Sequence, residues 1–164
     1  MRKLHLGISL LATVLLVSAC GFKLQARAEL PPEMQRTKLE VVDPFGEFSR
    51  RLEVLLEQNG VDIVTTAADA AVLEVPVNEM RKEIQSIGDN ARVQEFPVRH
   101  SVQFRLLDKS GAELIPMQTF EMSRVYQFNE QDILAAERED EFLRNDLADS
   151  LARMVVRRLG TYGK

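Results

Sequence analysis

EFPVRHSVQFRLLDKSGAELIPMQTFEMSRVYQF, residues 95–128, carries two alternating runs on either side of a turn signal. Phe96, Val98, Val102, Phe104 and Leu106 alternate with Arg99, Ser101, Gln103 and Arg105. A period of two puts the apolar set on one face of a half-buried strand and the polar set on the other. Asp108-Lys109-Ser110-Gly111 then closes a hairpin, with glycine suited to a left-handed or bulge position. The returning strand carries Phe120, Met122, Tyr126 and Phe128 on one face. If Asp108 closes against Ala112, Phe104 lies opposite Pro116 and His100 opposite Phe120. That register keeps both apolar sets on one side.

Upstream, Leu73, Val75 and Val77 share one parity while Met80 and Ile84 share the other. The phase change near Pro76 to Glu79 predicts a bulge, because one extra residue turns every later side chain to the opposite face. Gly88-Asp89-Asn90 is a turn signal. Thr37 to Val42 reads as a first strand, followed by Asp43-Pro44 as helix N-cap and first helical residue. Phe48, Leu52, Leu55 and Leu56 give that helix one apolar face, and Asn59-Gly60 stops it. Gly46 weakens its first turn, so the start can slip by a few residues. Val61 to Val64 is a short extended piece.

Downstream, Asn129 can cap a last helix that meets neither glycine nor proline until Gly160, with Asp132 at its third position. Leu143, Leu147, Leu151 and Val155 recur every four residues, extended by Met154 and Leu159. Helices with one apolar stripe need a sheet face to cover. The expected fold class is therefore an α/β (α+β) two-layer sandwich, with an about four-stranded mixed sheet and two helices packed on one face. The other sheet face stays polar and open to solvent or a partner.

Residues 1–19 add a compartment. Arg2 and Lys3 precede an apolar run from Leu6 to Val17, and Val17-Ser18-Ala19 ends in Cys20. The run is too short to cross a bilayer core, which needs about 20 apolar residues. It reads as a secretory signal peptide. Small residues before a cysteine resemble a bacterial lipobox, in which Cys20 is lipidated and becomes the first mature residue; the alternative is an ordinary signal with a chance cysteine. Cys20 is the only cysteine, so no intramolecular disulfide can form. A stable anchor needs more than one acyl chain, which a diacyl or triacyl cysteine meets. Gly21 after the cysteine favours the outer membrane in lipoprotein sorting. Residues 20–36, with Pro31-Pro32, read as a lipidated tether that then docks, and residues 37–164 as one domain.

Composition excludes several functions. The chain carries a net charge of −4, and loss of the basic leader makes it more acidic, which argues against general nucleic-acid binding. The mature chain has one histidine, His100, which follows the parity of Val98 and Val102 and reads as a hydrogen-bonded histidine of the core face. No Ser/His/Asp set, zinc-ligand spacing or glycine-rich phosphate loop occurs. Glu137 to Glu141 alternates with Arg138 as a solvated helix face does. The expectation is a non-enzyme with no cofactor and no metal.

Basic side chains on the strands carry the interest. Arg81, Lys82, Arg92, Arg99 and Arg105 lie on or beside the long strands. Guanidinium groups on a rigid sheet suit phosphate or carboxylate recognition. The competing reading is cross-strand ion pairing with Glu79, Glu83, Glu95 and Glu121.

Several features together resemble the LptE family of LPS-assembly lipoproteins. Cys20-Gly21-Phe22-Lys23-Leu24 is similar to the start of the mature family proteins. Asp43-Pro44-Phe45-Gly46 leading into a helix, the long meander, Arg124-Val125-Tyr126-Gln127-Phe128 and the closing segment from Ile133 to Leu159 are similar in kind and order. The resemblance covers nearly the whole mature chain through loose motifs. It implies a lipid-anchored outer-membrane protein facing the periplasm and a barrel lumen. There it forms a heterodimer with the β-barrel LptD, plugs it, helps it assemble and binds lipopolysaccharide during insertion into the outer leaflet. It also implies that Arg81, Lys82, Arg92 and Arg99 meet lipid A or core phosphates. Ala135-Ala136-Glu137 departs from members that carry a lysine there, with Arg138 the nearest replacement. The alternative function is a generic envelope lipoprotein acting as a periplasmic adaptor without lipopolysaccharide binding.

Overall fold

The computed structural model describes residues 29–83, 86–87, 93–127 and 133–162. The order is a 3-10 turn Pro32–Gln35, β1 Arg36–Val41, α1 Glu47–Gln58, β2 Asp62–Val64, β3 Ala71–Lys82, β4 Ser86–Ile87, β5 Val93–Leu107, β6 Glu113–Gln127 and α2 Ile133–Leu159. The strands make one mixed sheet in the order β2-β1-β3-β5, with β6 on the far side of β5. β1 runs parallel to β2 and β3, whereas β3, β5 and β6 form the antiparallel meander. The two-layer α+β class is as expected, but among the described residues the sheet has six strands rather than about four. The extra strands are short: β2 has three residues and β4 two, and β4 pairs with β5 beyond the end of β3.

Both helices cover one face. Phe48, Leu52 and Leu56 of α1 and Leu151, Val155 and Leu159 of α2 join Leu73 and Val75 of β3 and Val102, Phe104 and Leu106 of β5 in one core. Burial of a side chain of this size contributes roughly 1.5–3 kcal/mol. A smaller cluster of Val98, Ala136 and Leu147, with Met80, Phe96, Met122 and Leu143 against it, continues the layer towards the far ends of the strands. Arg51 joins the helices through Asp149, which also receives Arg153. Met34, fully buried, and Leu30 dock the segment before β1 onto the same core, and the Thr37 hydroxyl donates to the Met34 carbonyl at 2.8 Å.

The end of α1 follows from its residues. Gly60 takes φ +89°, Val61 N–H bonds the Leu56 carbonyl, and Gly60 N–H bonds the Glu57 carbonyl. This is a Schellman close, with buried Leu56 and Val61 as its apolar contact. The start differs from the Asp43-Pro44 expectation. Gly46 is the N-cap and helix begins at Glu47. Asp43 to Gly46 instead forms a turn whose Asp43 carbonyl accepts from Ser49 Oγ at 2.5 Å, and Gly46 fits because a Cβ there would meet the Asp43 carboxylate. Capping by Asn129 and Asp132 and the turn at Gly88 to Asn90 lie outside the described residues, as do Ile84 and Phe128.

The meander has the expected faces but a different register. Asp108 does close on Ala112, its N–H donating at 2.8 Å, and Gly111 takes φ +83°. The Asp108 carboxylate accepts from Ser110 and from Ala112 N–H. Beyond the turn the pairing slips at Leu106/Leu107 and again at Phe104/Leu106. Phe104 therefore faces Gln118 rather than Pro116, and His100 faces Met122 rather than Phe120. Two slips restore the side-chain parity that one would invert, so the apolar sets still share a side. In β3 the expected bulge falls between Glu74 and Val77.

Candidate functional site

Among the described residues, Arg81, Arg99 and Arg105 stand on the sheet face that the helices leave uncovered. Register places Glu74 beside Arg105, Glu79 beside Ser101 and Arg81 beside Arg99 across β3 and β5, with Ser123, Glu121 and Thr119 of β6 alongside. The same pairing puts Leu73, Asn78, Met80 and Lys82 beside Leu106, Val102, His100 and Val98 on the opposite, helix-covered face. The central band of the open face is thus mainly polar, Glu79, Ser101, Gln103, Glu121 and Thr119 around a single Val77, with arginines towards both ends.

Each arginine has a carboxylate partner. Arg105 Nε donates to Glu74 at 2.6 Å, and this bond and the Glu74 charge raise the Arg105 pKa. Arg81 donates to Glu79 at 2.5 Å. Arg99 donates to Glu121 and lies 3.4 Å from Glu83. The Glu121 hydrogen bond first, then the charges of Glu121 and Glu83, raise the Arg99 pKa.

Of the four basic residues singled out in the sequence, the structure brings Arg81 and Arg99 together and sets Lys82 apart. Lys82 lies on the helix-covered face, 3.5 Å from Asp140 of α2 and 4.5 Å above the Phe96 ring. Burial works against the Asp140 carboxylate, but the hydrogen bond and charge of Arg144, with the charge of Lys82, outweigh it and lower its pKa. The Lys82–Asp140 contact joins the strand ends to the first half of α2. Its signal was present in the sequence: after the bulge Lys82 shares the parity of Met80, the core parity. The Arg51–Asp149 link had no such signal, since 98 residues separate its partners. Arg92 and Cys20 lie outside the described residues.

His100 is 2% exposed, between Asn78 and the edge of Phe48. Its Nε2 lies 2.7 Å from Asn78 Oδ1, which makes Nε2 the protonated nitrogen. Burial lowers its pKa to about 4. A neutral, enclosed imidazole with an amide and a phenyl ring beside it cannot reach a substrate, and it acts as a core residue. Among the described residues no group of three His, Cys, Asp or Glu side chains could hold a metal, and no helix is long and apolar enough to cross a membrane. A shallow groove where the end of β1 meets the bulge of β3, lined by Val42, Pro44 and Pro76 with Glu40 and Glu74, has no convergent donors.

A two-layer body of this kind, with one sheet face left polar, is a fold of small bacterial lipoproteins. The solution NMR structure of lipoprotein B from Nitrosomonas europaea superimposes with a TM-score of 0.74 at 26% identity, covering 87% of this chain and 92% of that one. The crystal structure of a minor lipoprotein from Acinetobacter baumannii shares the fold, with a TM-score of 0.66 at 24% identity over 77% of this chain and 91% of that one. The chain belongs to the LptE family, described as lipopolysaccharide-assembly, whose model matches residues 34–159. It is 32% identical to the LPS-assembly lipoprotein LptE of Yersinia pestis strain Pestoides F over 163 residues, 98% of this chain and 78% of that protein. The Yersinia enterocolitica protein of the same name is 30% identical over 161 residues, 97% of this chain and 77% of that one. The family's part in lipopolysaccharide assembly is a non-catalytic role, in keeping with His100 as a core residue.

Proposed function

We propose that this protein is anchored to the outer membrane through lipidated Cys20, after removal of residues 1–19, with residues 20–36 as tether and docking strip. The body from residue 37 onward sits as a plug inside the β-barrel LptD, helps that barrel assemble, and binds lipopolysaccharide on its way to the outer leaflet. It works by binding rather than by catalysis, with no cofactor. Arg81 and Arg99, side by side on the open sheet face, are the proposed docking point for lipid A or core phosphates, with Lys82 at the strand ends and Arg92 as further proposed contacts.

The observation that carries this reading is the family match across residues 34–159, most of the folded body. The geometry agrees with it. A barrel lumen is polar, and the sheet face away from the helices is polar too. The edge strand β6 is 15 residues long, and such an edge needs a cover in the working assembly. Detergent pull-down of the tagged, full-length protein tests the partner: a large barrel protein is expected in roughly equal amount. Recovery of the protein alone would favour an adaptor that meets its partners only transiently.

A further inference from the structure

Arg81 and Arg99 are direct partners across β3 and β5. Side chains so paired stand about 5 Å apart at Cβ, close enough for two guanidinium groups to share one anion and to repel each other without one. Three glutamates supply the counter-charge. Arg81 donates to Glu79, Arg99 donates to Glu121, and Glu83 lies 3.4 Å from Arg99 Nε. Two arginines against three glutamates leave the group net negative, which by itself repels an anionic ligand. The carboxylates use the same N–H donors that a phosphate oxygen would use, in the same short charge-assisted bonds. They are also able to leave: Arg99 keeps 40% of its side-chain surface exposed, Glu83 47% and Glu121 46%. Exposed pairs of this kind are weak, worth up to about fivefold each in an equilibrium.

We propose that Glu83 and Glu121 are built-in competitors for the Arg81–Arg99 pair. They hold the Arg99 guanidinium donors in the free protein, as Glu79 holds Arg81, and swing away when a phosphomonoester group binds across the two strands. The competition sets specificity. A phosphomonoester carries close to two negative charges at neutral pH and displaces the carboxylates, whereas a sugar carboxylate with one charge gains nothing over the glutamate already there. This inference rests on the reading that lipopolysaccharide phosphates dock on the open sheet face, and its test separates the two.

The full-length protein in detergent is titrated with lipopolysaccharide and with the same material after enzymatic dephosphorylation. The Glu83→Gln/Glu121→Gln variant keeps the side-chain volumes and is expected to bind lipopolysaccharide about three- to tenfold more tightly, the release of two exposed ion pairs. Binding of the dephosphorylated form stays unchanged, and inorganic phosphate competes with lipopolysaccharide at the variant. Glu74→Gln/Glu113→Gln removes the same charge elsewhere on the sheet and leaves affinity as it was. Equal tightening by that control or towards dephosphorylated material, or no competition by inorganic phosphate, overturns the proposal. Arg81→Gln/Arg99→Gln tests the underlying reading. If it leaves lipopolysaccharide binding unchanged, the open face is not the docking surface. If it weakens binding while the glutamate variant fails to tighten it, the docking face stands and the competitor role falls.

Discussion

His100 is held between β3, β5 and α1, where burial strips from an imidazolium the water that the Asn78 contact alone does not replace. Burial lowers its pKa from 6.5 to about 4, so between those values the unfolded chain takes up a proton that the folded chain refuses. Stability is then full above about pH 6.5 and falls as pH drops towards 4. Between pH 7 and 5, above most carboxylate titrations, the expected loss is about 2 kcal/mol. Urea unfolding at a series of pH values measures it, and His100→Phe should flatten the slope in that window whatever its own stability. An unchanged slope would rule out His100 as its source. The histidine's role was legible in the sequence, because its parity placed it among Val98 and Val102. Its partners were not: Asn78 lies 22 residues away and depends on a register that a bulge shifts. The same limit applied to the arginines. Parity put Arg99 on the polar face and Lys82, after the bulge, with Met80, but only cross-strand pairing showed that Arg81 stands directly beside Arg99.

Element by element, local chemistry was the readable part. The Gly60 stop, the Asp108–Gly111 turn and the α2 stripe each depend on residues within a few positions of one another, and each is present. The β5–β6 register was not readable, because its two bulges moved the pairing while sparing its faces, whereas the β3 bulge changed the faces and so showed as a phase change. Gly60→Ala forces a side chain into φ +89° and should cost about 1 kcal/mol in chemical denaturation. Helix α2 allows a sharper comparison. Leu151 is fully buried in the core, whereas Phe142 on the same helix is 68% exposed. Leu151→Ala should cost about 2–5 kcal/mol through lost burial and the cavity left behind. Phe142→Ala should stay within about 0.5 kcal/mol, as surface changes do. A large stability loss at Phe142 would mean that the outer side of α2 packs against something in the free protein.

For the molecule as a whole, a plug and an adaptor differ in how much of the body a partner covers. An adaptor docks through one patch. A body inside a barrel lumen is enclosed on opposite sides at once. Here both of the opposed sides carry exposed apolar side chains. The open sheet face shows Val125 and Met117 among its polar residues, 51% and 43% exposed, while α2 turns Leu134 and Phe142 outward on the far side, each 68% exposed. Such apolar side chains on two opposed surfaces need cover only if both surfaces meet a partner. Hydrogen exchange of the protein alone and bound to its barrel therefore discriminates. Outward amides of edge strand β6 should exchange readily in the free protein and slowly in the complex. Oxidative footprinting of Met117 and Phe142 should fall together on binding, because enclosure shields both layers. Protection confined to one layer would leave the other facing open periplasm, and the protein would then be an adaptor clasped to its partner by a single face rather than a plug within it.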